Sequence, residues 1–211
     1  MQTLLHLTCS PKRHAAYSSL MSEEVVARLL AAYPGAMVVR RDLSASPPPV
    51  PDGAFSAAVL SGASAEHPAF AASEILIDEL DACDALVIGT PMHNYSVPAV
   101  LKAWVDQIVR IRRSFRTTVA GKVGMLRDRP VFVVVASGGH FTGPSPGGTP
   151  AQPDFLTPYL RAVFDTVGLH DTHFIALEGL TRGPETVAQA LAKGRATLQQ
   201  ILPAPSVFAA R

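Results

Sequence analysis

Residues Val131-Phe-Val-Val-Val-Ala136 are six consecutive apolar side chains with no polar alternation. Side chains of a strand point alternately to its two faces, so such a strand must be covered on both sides. That is the pattern of a strand inside a parallel sheet, whose neighbours are reached by crossover helices. Four further short segments read as strands: Thr3–Cys9, Met37–Arg41, Ala85–Ile88 and His173–Leu177. Between them apolar residues recur at helical spacing, as Leu20, Val25, Val26, Leu29 and Leu30, then from about Phe70 to Leu80. Val97–Ile111, Phe155–Val167 and Pro184–Ile201 complete the helical set. Ser44–Phe55 contains PPPVP and reads as irregular, since each proline removes a backbone donor. Strands alternating with helices predict an α/β fold: a three-layer sandwich around a five-stranded parallel sheet in the order 2-1-3-4-5.

With 211 residues, 48% of them apolar, one core can be built, and no compositional break marks a second domain. The expectation is a single domain over residues 1–202, with 203–211 a flexible tail. Lys and Arg number 18 against 17 Asp and Glu, a balance that argues against nucleic acid as a partner. No run approaches the ~20 apolar residues of a membrane helix, and no leader pattern opens the chain, so a cytoplasmic protein off the membrane is expected. Cys9 and Cys83 are the only cysteines, too few and too far apart for a disulfide framework or a CxxC pair.

In a 2-1-3-4-5 sheet, ligands bind beyond the carboxyl ends of the strands where the order switches. Three strand ends meet there. The first, SPKRHAAYSS, sets Ser10, Ser18 and Ser19 before a helix N-terminus, whose free N–H groups and partial positive charge suit a phosphate, with Lys12 and Arg13 adding attraction. An ordinary serine N-cap is the plainer alternative. Neither GxxxxGK[ST] nor GxGxxG occurs in this loop, which favours a monophosphate over a nucleoside triphosphate or a dinucleotide. The second loop, Pro91-Met92-His93-Asn94-Tyr95, is either a connector or the wall of a site for something flat. The third, Ser137-Gly138-Gly139-His140, either lets backbone approach a ligand or merely turns the chain.

Together these residues resemble the FMN-dependent NADH-azoreductase family, flavodoxin-like NAD(P)H:quinone oxidoreductases. The matching positions are Ser10-Pro11 with Ser18, Pro91 to Pro98 with Leu101 to Asp106, Phe115-Arg116-x-Thr118, Ser137-Gly138-Gly139, Asp154-Phe155-x-x-Pro158-Tyr159-Leu160, and Glu178-Gly179 with Gly183-Pro184-Glu185. The resemblance implies a flavodoxin-like fold with FMN at the carboxyl edge of the sheet. Its phosphate would lie on Ser10, Tyr17, Ser18 and Ser19, its ring along Pro91, Met92, His93, Asn94 and Tyr95, and its pyrimidine side against Ser137, Gly138 and Gly139. Three departures stand out: Ala16 where the family pattern has a second serine, His93 where tyrosine is common, and no arginine between Ser137 and Gly138.

The implied reaction is a two-step hydride transfer from NADH or NADPH through the flavin to a quinone or azo compound, with the organic chemistry belonging to the cofactor. No side-chain nucleophile is needed, and His140 is at best a proton source. A homodimer with both sites at the interface is also implied, and the apolar face of Val97–Ile111 serves either that contact or the protein's own core. Phe115, Phe141 and Phe164 are candidates for lining a substrate cavity or for core positions. The run Arg110 to Arg116 offers a phosphate-binding patch or a solvated helix end. His170 and His173 lack the partners of a zinc site. The alternative activity is that of a flavodoxin-type electron carrier, although such carriers are usually strongly acidic; a flavin-free module is a third reading.

Overall fold

A computed structural model describes residues 1–202; the tail 203–211, expected to be flexible, lies outside the described residues. The chain runs β1 (Thr3–Thr8), α1 (Tyr17–Ala32), β2 (Met37–Asp42), α2 (Gly53–Ser61), α3 (Ala71–Ala82), β3 (Ala85–Pro91) and α4 (Ala99–Ile108). It continues with β4 (Phe115–Thr118), β5 (Gly121–Gly124), β6 (Val131–Ala136), α5 (Thr157–Val167), β7 (Thr172–Leu177) and α6 (Pro184–Ile201). The main sheet has the order β2-β1-β3-β6-β7 with all pairings parallel, which among these five strands is the expected 2-1-3-4-5.

Alternation along the strands sorts the core into two layers. Leu5, Leu7, Leu86, Ile88, Val131, Val133 and Val135 pack against α3, α4 and α5. Leu4, Val87, Phe132, Val134, Ile175 and Leu177 face the other way, against α1 and α6. The apolar face of α4 is consumed in this packing, because Leu101, Trp104, Val105 and Ile108 are all buried within the chain. Phe164 is likewise a core residue, and Phe115 is buried.

Two elements escape the sequence pattern. The stretch read as irregular gives way at its end to α2, started by the Asp52 carboxylate accepting from Phe55 N–H (2.8 Å) and stopped by Gly62 at φ 71°. Of its nine residues only Ala58 is buried, so it has little apolar periodicity to reveal it. The β4–β5 hairpin, antiparallel and separate from the main sheet, seats Gly124 directly on Gly168; a Cβ at Gly124 would stand 2.2 Å from Gly168 N.

The arginine run divides: Arg110 and Arg113 are drawn into the fold, whereas Arg112 and Arg116 are exposed. Arg110 is 4% exposed, lies 4.2 Å from the Phe70 ring centre, bonds Ser73 Oγ (3.1 Å) and pairs with Glu74. Arg113 bonds Glu74 (2.8 Å) and Asp78, and Arg112 bonds the Val59 carbonyl (2.7 Å). These side chains tie α2, α3 and α4 together. His170 pairs with Asp165 and His173 with Asp171, and no cluster of metal-binding residues occurs among the described residues.

Candidate functional site

β1, β3 and β6 are neighbours, so their three following loops stand side by side over one crevice. A cavity of about 320 Å³ opens there. Of the residues expected at the site, Ser10, Tyr17, Ser18, Pro91, Met92, His93, Ser137 and Gly138 line it, and Ser19, Asn94, Tyr95 and Gly139 stand behind or beside the lining. Sequence reasoning missed Leu180 and Thr181, which close the wall from the end of β7. They sit inside the segment Glu178 to Glu185 that carries the resemblance, and counting a fourth strand end would have found them.

The first loop forms a cradle of unused donors. Ala16 occupies the N-cap position of α1 with no side chain able to cap it. The N–H of Leu20 reaches Ala16 O, but those of Tyr17, Ser18 and Ser19 meet no acceptor among the described residues. Ser18 is 1% exposed and its hydroxyl also has no partner. Buried donors of this kind cost stability unless something satisfies them, and an anion at the helix N-terminus does so. The missing hydroxyl at Ala16 thus leaves the helix end open rather than self-capped.

A network beneath fixes that turn. A Cβ on Gly89 of β3 would lie 2.5 Å from Ser22 Oγ and 2.8 Å from Ser18 O, so only glycine lets α1 lie this close. His6 of β1, buried under the same turn, receives an Arg40 N–H at Nδ1 (2.9 Å), since a guanidinium can only donate. Its Nε2–H then donates to Ser22 Oγ (2.9 Å), whose proton goes to Ser19 O (3.0 Å). Burial, outweighing the opposing Glu23 carboxylate and aided by Arg40, depresses the His6 pKa to about 4.

The second loop is a tight hairpin turn. His93 and Ser96 exchange both backbone hydrogen bonds, at 2.9 and 3.0 Å, and the central residues Asn94 and Tyr95 are left-handed at φ 48° and 71°. Asparagine tolerates this region; tyrosine does not do so freely. Phe155 N–H holds the Tyr95 carbonyl at 2.9 Å. The N–H groups of Asn94 and Tyr95 have no acceptor among the described residues.

The third loop is anchored from β7. Glu178, 6% exposed, accepts from Phe141 N–H (2.7 Å), Thr142 N–H (2.8 Å), the Thr142 hydroxyl (2.7 Å) and Lys193 (3.2 Å). Burial alone would raise its pKa, but these four donors together hold it below the usual carboxylate value. The two glycines answer to neighbours in the chain itself: a Cβ on Gly138 would lie 2.9 Å from Thr181, and one on Gly139 2.4 Å from Gln152. His140 turns away from the crevice. Its ring lies over Gly179 and lines a second cavity of about 440 Å³ with Glu178 and Lys193. That cavity is the larger, yet the free donors of α1 gather at the smaller one.

The cradle and the crevice beyond it suit a phosphate monoester carrying a flat ring. Residues 2–202 match the family model described as flavodoxin-like fold. FMN-dependent NADH:quinone oxidoreductase 2 of Cupriavidus pinatubonensis is 45% identical over 193 residues, 90% of this chain and 92% of that protein. FMN-dependent NADH:quinone oxidoreductase 4 of Pseudomonas fluorescens is 43% identical over 198 residues, 94% of each. Among solved structures, an azoreductase from Bacillus anthracis superposes with TM-score 0.80 at 20% identity, covering 95% of this chain and 99% of that one. An FMN-dependent NADH-azoreductase in complex with FMN, also from Bacillus anthracis, gives TM-score 0.74 at 22% identity, covering 96% and 100%. The two structures support the fold, and the two sequence relatives carry the assignment further: the chain belongs to the flavodoxin-like family of FMN-dependent NADH:quinone oxidoreductases.

Proposed function

We propose that this protein binds FMN in the crevice and reduces quinones, azo compounds or both at the expense of NADH or NADPH. The observation that carries the proposal is the buried, unpartnered Ser18 hydroxyl beside three unused N–H groups of α1, at one side of a cavity that Met92, His93, Ser137 and Gly138 continue. The residues fit the cofactor: four donors for a phosphate, then apolar and backbone surface for a ring.

FMN, when bound, would supply two-electron hydride chemistry, passing reducing equivalents from the nicotinamide to the acceptor in a ping-pong reaction. The chain's own part is binding and orientation. Ser18 and the N–H groups of Tyr17, Ser18 and Ser19 hold the phosphate, with Ser10 and Lys12 beside them. Met92 and His93 would pack on the ligand, and the pre-set N–H groups of Asn94 and Tyr95 would offer donors at its edge. Ser137 and Gly138, with Leu180 and Thr181, close the opposite side and exclude water. The His140 ring, which lines the other cavity, is not among the groups that would touch the ligand. The proposal includes a homodimer, with exposed Val119 on the hairpin, Phe155 and Leu60 as apolar surface that association would cover. It also includes a cytoplasmic location, in keeping with two buried free cysteines and no membrane-crossing helix among the described residues.

The test is the visible spectrum of the purified protein, reconstituted with FMN if colourless, during anaerobic addition of NADH and then of a quinone. Bleaching by NADH and recolouring by quinone is expected. A protein that takes up no FMN sinks the proposal, and one that bleaches without being reoxidised by quinones is an electron carrier instead. Sedimentation at a monomer mass contradicts the dimer.

A further inference from the structure

We infer that Gln152 is a positioning residue that fixes the Ser137 hydroxyl as a hydrogen-bond donor directed at the ligand in the crevice. The inference rests on the reading of the crevice as the FMN site.

Gln152 is held in place by its own N–H on the His140 carbonyl (2.8 Å). Its side-chain Nε2 lies 3.1 Å from Met92 Sδ and 2.9 Å from Ser137 Oγ. A thioether sulfur has no proton to give, so the nitrogen end of the amide is the end that faces Met92, and both amide hydrogens are thereby committed. The oxygen end, Oε1, fits only because residue 139 is glycine, where a Cβ would stand 2.4 Å away. The second glycine of Ser137-Gly138-Gly139 is therefore the seat of Gln152.

Ser137 is pinned by its backbone, N–H to Leu177 O (2.8 Å) and carbonyl to Leu180 N–H (3.1 Å). Its hydroxyl oxygen accepts from Gln152 Nε2 and from Gly139 N–H (3.2 Å). A serine hydroxyl has two lone pairs and one proton. Both lone pairs are engaged within the chain, and the proton has no acceptor among the described residues. Ser137 lines the crevice and is buried, so what it offers a ligand is a donor and not an acceptor. A flavin ring presents acceptors along its polar edge, and a donor there binds more strongly as reduction adds negative charge to the ring.

The test uses the full-length protein with FMN as the probe. FMN affinity is read from flavin fluorescence, and the two-electron midpoint potential from equilibration with a reference dye. Gln152→Leu keeps bulk and removes the donor; the dissociation constant is expected to rise about five- to tenfold and the potential to fall. Ser137→Ala should do the same, and the double variant should be no worse than either single one. Gln152→Glu puts an acceptor where the donor was, draws the Ser137 proton to itself and should match the Ser137→Ala loss, deciding the matter if Gln152→Leu does not fold. Additive losses in the double variant, or wild-type affinity and potential in both Gln152 variants, overturn the inference. Wild-type protein that binds no FMN defeats the crevice reading instead.

Discussion

Replacing Ser18 by alanine should move two measurements in opposite directions. In the free protein the Ser18 hydroxyl is buried at 1% exposure without a partner. A buried polar group left unsatisfied costs about 1–3 kcal/mol, so Ser18→Ala removes a defect. Some packing is lost with the oxygen, leaving a net gain of about 1 kcal/mol, which for a domain of this size raises the apoprotein melting temperature by roughly 2–4 °C. With FMN present the sign reverses. A hydrogen bond to a charged phosphate is worth about 1.5–3 kcal/mol, so the dissociation constant should rise about 10- to 150-fold. Trp104, the one tryptophan in the chain and fully buried, gives an emission signal for the titration, and calorimetry gives both melting temperatures. A variant that melts lower than wild type without ligand and binds FMN equally well would refute the reasoning. It would mean that the hydroxyl has a partner inside the protein and does not face the phosphate.

Gly89→Ala should destabilise the protein by about 1–3 kcal/mol in urea unfolding, since its methyl would meet Ser22 Oγ at 2.5 Å and the Ser18 carbonyl at 2.8 Å. His6 has a folded pKa of about 4, below its ordinary 6.5, so the unfolded chain binds the extra proton between those values. Its contribution is complete above pH 6.5 and falls by about 3 kcal/mol as pH drops to 4, and the urea midpoint of His6→Gln should lack that part of the acid slope. Arg110→Ala should cost about 2–4 kcal/mol in thermal unfolding, because Glu74 keeps only Arg113, yet leave quinone reduction per folded molecule unchanged.

How much of this was legible in the sequence depended on how each element is stabilised. β6 announced itself because both of its faces are buried, and α4 and α5 because each has one apolar face. α2 is held at its ends by Asp52 and Gly62 rather than by a buried face, and the four-residue strands of the β4–β5 hairpin are too short for periodicity to speak. The site divided the same way. Ser10, Ser18, Met92 and Ser137 follow directly from the rule that ligands gather beyond strand ends. Gln152 lies far along a Gly/Pro-rich loop and reaches Ser137 only through folding, and Arg110 looked like a surface cation because no local pattern marks a buried one. The glycines of the third loop were legible as glycines, but what they make room for is Thr181 and Gln152.

The open end of α1 has a consequence for the lifetime of the molecule. A helix that lacks a side-chain cap and buries an unsatisfied hydroxyl is completed by its ligand, so on the proposed reading occupancy and folding are linked. At a free FMN concentration a hundred times the dissociation constant, the folded state gains about 2.7 kcal/mol, a hundredfold fewer molecules open at any moment. Proteases that act on the open chain would then remove empty protein far faster than loaded protein. On that reading the abundance of the enzyme would follow flavin supply with no dedicated sensor, because the first turn of one helix would itself register whether the phosphate is there.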